Sequence, residues 1–194
     1  MHKNVVELLK IVEEHGLAVG RSAALSKMMY DGNWKSCYKD DLLVITQLSS
    51  RLDVSRSIPD KFQNCAGNFL SDGSIIAVIG EKPSGPSPFQ RSYPFNDTTG
   101  CSGWLNNLLA RARIDEGKLF WVNAFNLDGS ENDPSMVTEL KPKKVICLGK
   151  VAEKWAKKNG WDPISFPHPQ FWKRFKSKEP YPFIDFLSSV ATKS

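Results

Sequence analysis

Val5, Val6, Leu8, Leu9, Ile11 and Val12 recur at helical spacing and stop at Gly16, which predicts an amphipathic helix over about 3–15. Ser22 to Tyr30 reads as a second, short helix before an Asp31-Gly32-Asn33 turn. A longer mixed pattern predicts a helix over 35–56 with Leu42, Leu43, Ile45 and Leu48 on its inner face, while Lys27, Lys35, Arg51 and Arg56 read as solvated surface. Polar residues dominate from Pro59 to Gly73 and predict loop or short helix. Residues 1–70 are thus expected to form a helical lobe.

The pattern then changes. Ser74 to Ile79 is small and apolar, the signature of a buried strand, and Gly80-Glu81-Lys82-Pro83-Ser84-Gly85 ends it in a loop with a carboxylate at its mouth. The loop runs to Thr99 and carries Pro83, Pro86, Pro88 and Pro94; long, stiff loops inside compact domains are commonly functional. Gly100 to Gly103 opens a helix that continues over 104–112, with Thr99 or Ser102 as its cap. Further strands are predicted at 119–125, 144–149 and 164–166, with a short helix at 136–140 and helices at 150–159 and about 180–191. Alternating strands and helices predict an α/β fold around a mostly parallel four-stranded sheet, preceded by the helical lobe. Glu81, Asn123 and His168 each follow the end of a different strand, so one sheet edge can gather them in a crevice.

A chain of 194 residues with 41% hydrophobic content is expected to be a single globular domain, lobe over 1–70 and α/β core over 71–194. The formal net charge of +5 fits a polyanionic partner, and 11 Phe and 6 Trp supply rings that stack on bases or fill the core. Cys37, Cys65, Cys101 and Cys147 stand far apart without a C-x-x-C pair, so no zinc or iron–sulfur site is expected; Cys147, in an apolar run, reads as a reduced core residue. No signal peptide or membrane-length apolar run is visible, which predicts a cytoplasmic protein. The Gly80 to Gly85 loop lacks the Gly-Lys-Ser/Thr ending of a nucleotide-phosphate loop and argues against phosphate transfer.

His168 has a proline on each side, an unusual setting for a core histidine. Together with Gly80-Glu81-Lys82-Pro83, Tyr93-Pro94-Phe95, Ser102-Gly103-Trp104-Leu105-Asn106-Asn107-Leu108-Leu109, Val122-Asn123, Leu148-Gly149-Lys150-Val151-Ala152 and His168-Pro169-Gln170, it resembles the uracil-DNA glycosylase superfamily. The likeness is greatest to branches with Gly-Glu-x-Pro-Gly and His-Pro-Ser motifs. It spans about 74–175 and leaves the N-terminal lobe uncovered.

The resemblance implies a three-layer α/β/α fold that flips a uracil or modified pyrimidine out of DNA and hydrolyses its N-glycosidic bond, leaving an abasic site. It assigns Glu81 and His168 to catalysis and Gly80, Pro83, Phe95 and Asn123 to the base. Ser102, Gln170, Phe171, Trp172, Lys173 and Arg174 are assigned to DNA, with a wedge after His168 and cations, Lys176 among them, on phosphates. It further implies DNA as partner, a monomer, no cofactor or metal cluster, association with the nucleoid, and a role in repair or in defence against phage. The chain departs from the pattern in three places: Ser84 stretches the first motif, Lys82 stands where another branch has a water-activating Asp, and Gln170 replaces Ser. The stretched motif points to a modified pyrimidine, in a pocket that the proline-rich loop and Asn126 to Gly129 would widen. Two alternatives remain: a non-catalytic DNA- or base-binding module of the same fold, favoured by Lys82 and Gln170, and an enzyme of free nucleosides.

Overall fold

The computed structural model describes residues 38–83, 93–95 and 100–194. The helices expected over 3–15 and 22–30, the turn at 31–33, Thr99 and most of the proline-rich loop lie outside them.

The central apolar run forms β2 (Ile76–Gly80), flanked by β3 (Leu119–Asn123) and β4 (Lys144–Leu148), with β5 (Ile164–Phe166) beyond β4. All of these pairings are parallel. β2 lacks polar alternation because both of its faces are covered, as the interior strand of a parallel sheet requires. Ala77 and Ile79 point into one core with Val137 and Leu140 of α3 (Ser135–Leu140) and Trp155 of α4 (Lys150–Lys158). Ile76 and Val78 point into the other with Leu105 and Leu109 of α2 (Gly100–Arg111) and Phe183 and Leu187 of α6 (Pro182–Val190). The result is the α/β/α layering expected, with each connection between parallel strands crossing a face of the sheet.

The sheet has five strands in the order β1-β3-β2-β4-β5, not four. The additional strand, β1 (Cys65–Gly67), pairs antiparallel with β3 and lies in the stretch expected to be loop or short helix. Three residues are too few to show a periodicity, and what holds them is a partner more than fifty positions away in sequence. Gly67 is required at this edge: its φ is +107°, and a Cβ there would stand 2.5 Å from the Leu119 carbonyl oxygen.

Before it, α1 (Tyr38–Val54) packs on α2 and β1, so the described part of the stretch expected as a helical lobe belongs to the same packed unit as the sheet. Its inner face differs from the one expected: Leu43 is exposed, whereas Val44, Ile45, Gln47, Leu48 and Arg51 are buried. The Leu42 side chain lies outside the described set. A helix absent from the expectation, α5 (Pro169–Phe175), begins immediately after His168, with Pro169 at its first position where the missing N–H costs nothing. Ser102 lies within the first turn of α2 and does not cap it, because the helix starts already at Gly100.

Candidate active site

The carboxyl ends of the parallel strands build a cleft of about 160 Å³, bounded by Glu81, Lys82, Pro83, Tyr93, Phe95, Cys101, Ser102, Asn123, His168 and Gln170. Glu81, Asn123 and His168 therefore meet, as three strand ends on one sheet edge can. Backbone pairing sets their register: Gly80 lies opposite Asn123, Ala124 N–H donates to Gly80 O at 2.9 Å, and Phe125 N–H donates to Glu81 O at 2.9 Å. Gly80 admits no side chain, since a Cβ would come within 2.8 Å of Asn123 Oδ1 and 2.9 Å of Phe95 Cε2.

Phe95 is held by a buried polar network that the sequence did not disclose. Its backbone is left-handed, φ +50°, a conformation that costs a bulky residue energy unless its surroundings fix it. Its carbonyl accepts from Arg51 Nη1 at 3.1 Å and from Asn106 Nδ2 at 2.8 Å. Arg51 Nη2 also donates to Asn106 Oδ1 at 2.8 Å and pairs with Glu116 at 2.7 Å, both side chains fully buried. Glu116 in turn accepts from Gln47 Nε2 at 2.9 Å and Trp121 Nε1 at 2.8 Å, and the guanidinium lies 4.3 Å from the Trp121 ring centroid. Arg51, expected on the surface, is thus a fully internal cation. The Phe95 ring rests edge-on against Trp121 at 5.8 Å and faces His168 at 6.2 Å.

Asn123 is buried and oriented. Its Nδ2 donates to Asn64 Oδ1 at 2.8 Å, and Asn64 Nδ2 donates to the Phe125 carbonyl at 2.9 Å and to Asn126 Oδ1 at 3.1 Å. Asn64 itself adopts φ +56°, a region that Asn visits more readily than most residues.

His168 is half-buried and caps α5: the Gln170 backbone N–H donates to its Nδ1 at 3.0 Å. In the neutral ring the hydrogen then sits on Nε2. Burial lowers its pKa below the ordinary imidazole value, and the negative charge of Glu81 opposes that shift without reversing it. The segment is braced from behind, where Tyr181 OH donates to the Pro167 carbonyl at 2.6 Å.

Cys101 also faces the cleft, but burial pushes its thiol up to about 11 against the pull of Lys173, which leaves it protonated and a poor nucleophile at neutral pH. Cys65 and Cys147 are buried, with thiols pushed up to about 12. Among the described residues no three His, Cys, Asp or Glu side chains group as metal ligands. No described helix is long and apolar enough to cross a membrane.

Phe171, Trp172, Lys173 and Arg174 follow on α5 and do not line the cleft. Phe171 is exposed, its ring 5.2 Å from that of Phe175. Trp172 turns inward, stacked on Tyr181 at 5.7 Å with its Nε1 donating to Glu179 O at 3.2 Å. Lys176 pairs with Glu179 at 3.2 Å. Across Pro83 and Tyr93 a larger, open groove of about 1350 Å³ reaches Arg56, Lys61, Asp60, Asp128, Glu131 and Asp133; it contains neither Glu81 nor His168.

Compared with known proteins, the chain matches no family model and no curated sequence.

Proposed function

We propose that this protein is a DNA glycosylase that takes a uracil or modified pyrimidine into the cleft and hydrolyses its N-glycosidic bond. The observation that carries this reading is the meeting of a neutral, proline-braced imidazole, an aromatic face, an oriented amide and a carboxylate around one cleft at the strand ends. When the bond from the sugar C1′ to the base N1 breaks, the electron pair leaves with the base and gathers on its O2, while C1′ becomes cationic. His168 Nε2–H donates to that oxygen, and a neutral donor suits an anion that forms only as the bond breaks. Glu81 orients the water that adds to C1′ and stabilises the cationic sugar; the proton that this water loses is taken by the Glu81 carboxylate and ends on the departed base anion, leaving an abasic sugar and a neutral base. Phe95 stacks on the extruded ring, and Asn123 reads its N3 and C4 edge. The groove across Pro83 and Tyr93 gives room beside the cleft for a substituent on the base, which supports the modified-pyrimidine form of the proposal.

A panel of duplex and single-stranded oligonucleotides carrying uracil, hydroxymethylated or glucosylated pyrimidines tests it. Alkali-labile abasic sites are expected from the wild type, and His168→Ala is expected to cut kcat/KM by about 10²- to 10³-fold, as removal of a donor to a developing oxyanion does. Lys82, exposed beside Glu81, favours a second reading, a module that binds a base without cutting. That reading gives no abasic sites with any base and equal affinity in wild type, His168→Ala and Glu81→Gln.

A further inference from the structure

We propose that Asn64 is a specificity-determining positioning residue, which holds the Asn123 amide in the orientation that accepts 4-oxo pyrimidines and rejects 4-amino ones. The inference rests on the glycosylase reading of the cleft and adds to it the class of ring admitted.

An Asn amide can be turned end for end with little change in shape, so its orientation has to be set by partners that are unambiguous. The Phe125 backbone carbonyl is such a partner, because it can only accept. It claims the Asn64 NH₂ at 2.9 Å. The Asn64 oxygen must then be the atom 2.8 Å from Asn123, and the Asn123 group facing it must be its NH₂. A turned Asn123 amide would set two acceptor oxygens against each other in a buried site, which costs a lost hydrogen bond and a repulsion. Asn123 Oδ1 is left on the Gly80 and Phe95 side, Asn123 lines the cleft, and the bond to Asn64 takes up only one of the two Nδ2 hydrogens.

A uracil-type ring carries a donor at N3–H and an acceptor at O4, the complement of Oδ1 and Nδ2–H in this order. A cytosine-type ring carries an acceptor at N3 and a donor at the 4-amino group, and would need the amide reversed. Discrimination therefore originates in a backbone carbonyl that never touches the substrate and reaches Asn123 through Asn64.

Two substitutions separate this role from a merely structural one. Asn64→Gly accommodates the φ of +56° while removing the acceptor that faces Asn123. Asn64→Asp keeps that acceptor but loses the donor to Phe125 O, so it destabilises the fold without freeing the amide. The measurement is the ratio of kcat/KM for matched pairs differing only at C4, uracil against cytosine and 5-hydroxymethyluracil against 5-hydroxymethylcytosine, alongside thermal midpoints. The wild type is expected to favour the 4-oxo member of each pair. Asn64→Gly is expected to reduce that preference about 10- to 30-fold, the weight of one buried hydrogen bond, and Asn64→Asp to retain it despite a lower midpoint. An unchanged ratio in Asn64→Gly, or ratios that follow the midpoints in both variants, overturns the inference alone. So does a wild type that prefers the 4-amino ring. A wild type that excises no base from any oligonucleotide overturns the functional reading and this inference with it.

Discussion

Burial and charge pull on the His168 proton in opposite directions, and burial prevails. The neutral ring is thus the ground state of the folded protein at neutral pH, and its hydrogen is fixed on Nε2 by the Gln170 amide. The sign of the pH dependence follows from linkage. The folded pKa lies below the unfolded one, so between the two values the unfolded chain binds more protons. The stability associated with the neutral ring is present above the unfolded value, near 6.5, and is lost as pH falls through the lower folded value. The same protonation adds a positive charge before substrate arrives and breaks the cap by removing the Nδ1 acceptor. The acid limb of a kcat/KM profile is accordingly expected below pH 6.5, as is a fall in thermal midpoint over the same interval. In His168→Asn the part of the midpoint change due to this group is expected to vanish. A profile whose acid limb falls above pH 6.5 would mean that burial does not control the ring.

At the scale of elements, α1 does more than cover the sheet. Its Arg51 crosses to the Phe95 carbonyl and to Glu116, tying a segment far along the chain into a left-handed turn. Replacing Arg51 by Met leaves Glu116 as a buried, uncompensated carboxylate, which is expected to cost about 3–5 kcal/mol in a denaturant titration. The double replacement Arg51→Met with Glu116→Gln is expected to recover much of that loss, yet to keep a raised KM because the Phe95 carbonyl still lacks one of its donors. Full recovery of KM would show that the network serves stability alone.

The same helix shows why only part of the architecture was legible in advance. Its existence followed from periodicity, but two of its buried positions are polar, Gln47 and Arg51, so the apolar pattern pointed to Leu43 in place of Val44. Strands β2 to β4 were readable because burial on both faces leaves unbroken apolar runs, and β5, a largely exposed edge strand, from the short alternation Ile164-Ser165-Phe166. β1 was not, since its pairing is decided by β3 and not by its own three residues. Helix α5 was hidden behind the extended reading of a histidine between prolines, although Pro169 at a first helical position was a usable signal. Glu81, Asn123 and His168 could be named because each follows the end of a strand, and Phe95 only through the motif resemblance. Asn64 could not, because its place beside Asn123 exists only once β1 has joined the sheet.

Over the whole molecule the net charge of +5 has to be placed before it means anything for DNA. The large groove is a poor track for phosphates. Asp60, Asp128, Glu131 and Asp133 border it, and its cations are engaged, Lys61 with Glu139 at 2.8 Å and Arg56 with Asp53 at 3.6 Å. The opposite rim is different: α5 follows directly on His168, carries Lys173 and Arg174 in its last turn, and shows the exposed rings of Phe171 and Phe175. A duplex that delivers a base to the cleft is therefore expected to lie over α5, with its phosphates on these cations. Each phosphate neutralised adds about −0.9 to the slope of log K against log salt concentration. Lys173→Ala and Arg174→Ala are each expected to weaken binding with all sequences alike and to make that slope shallower by about 1. Arg56→Ala, on the far side of Pro83 and Tyr93, is expected to leave it unchanged. Fluorescence anisotropy of labelled duplexes across a salt series measures all three, and a slope that responds to Arg56 but not to the α5 cations would move the DNA path into the acidic groove.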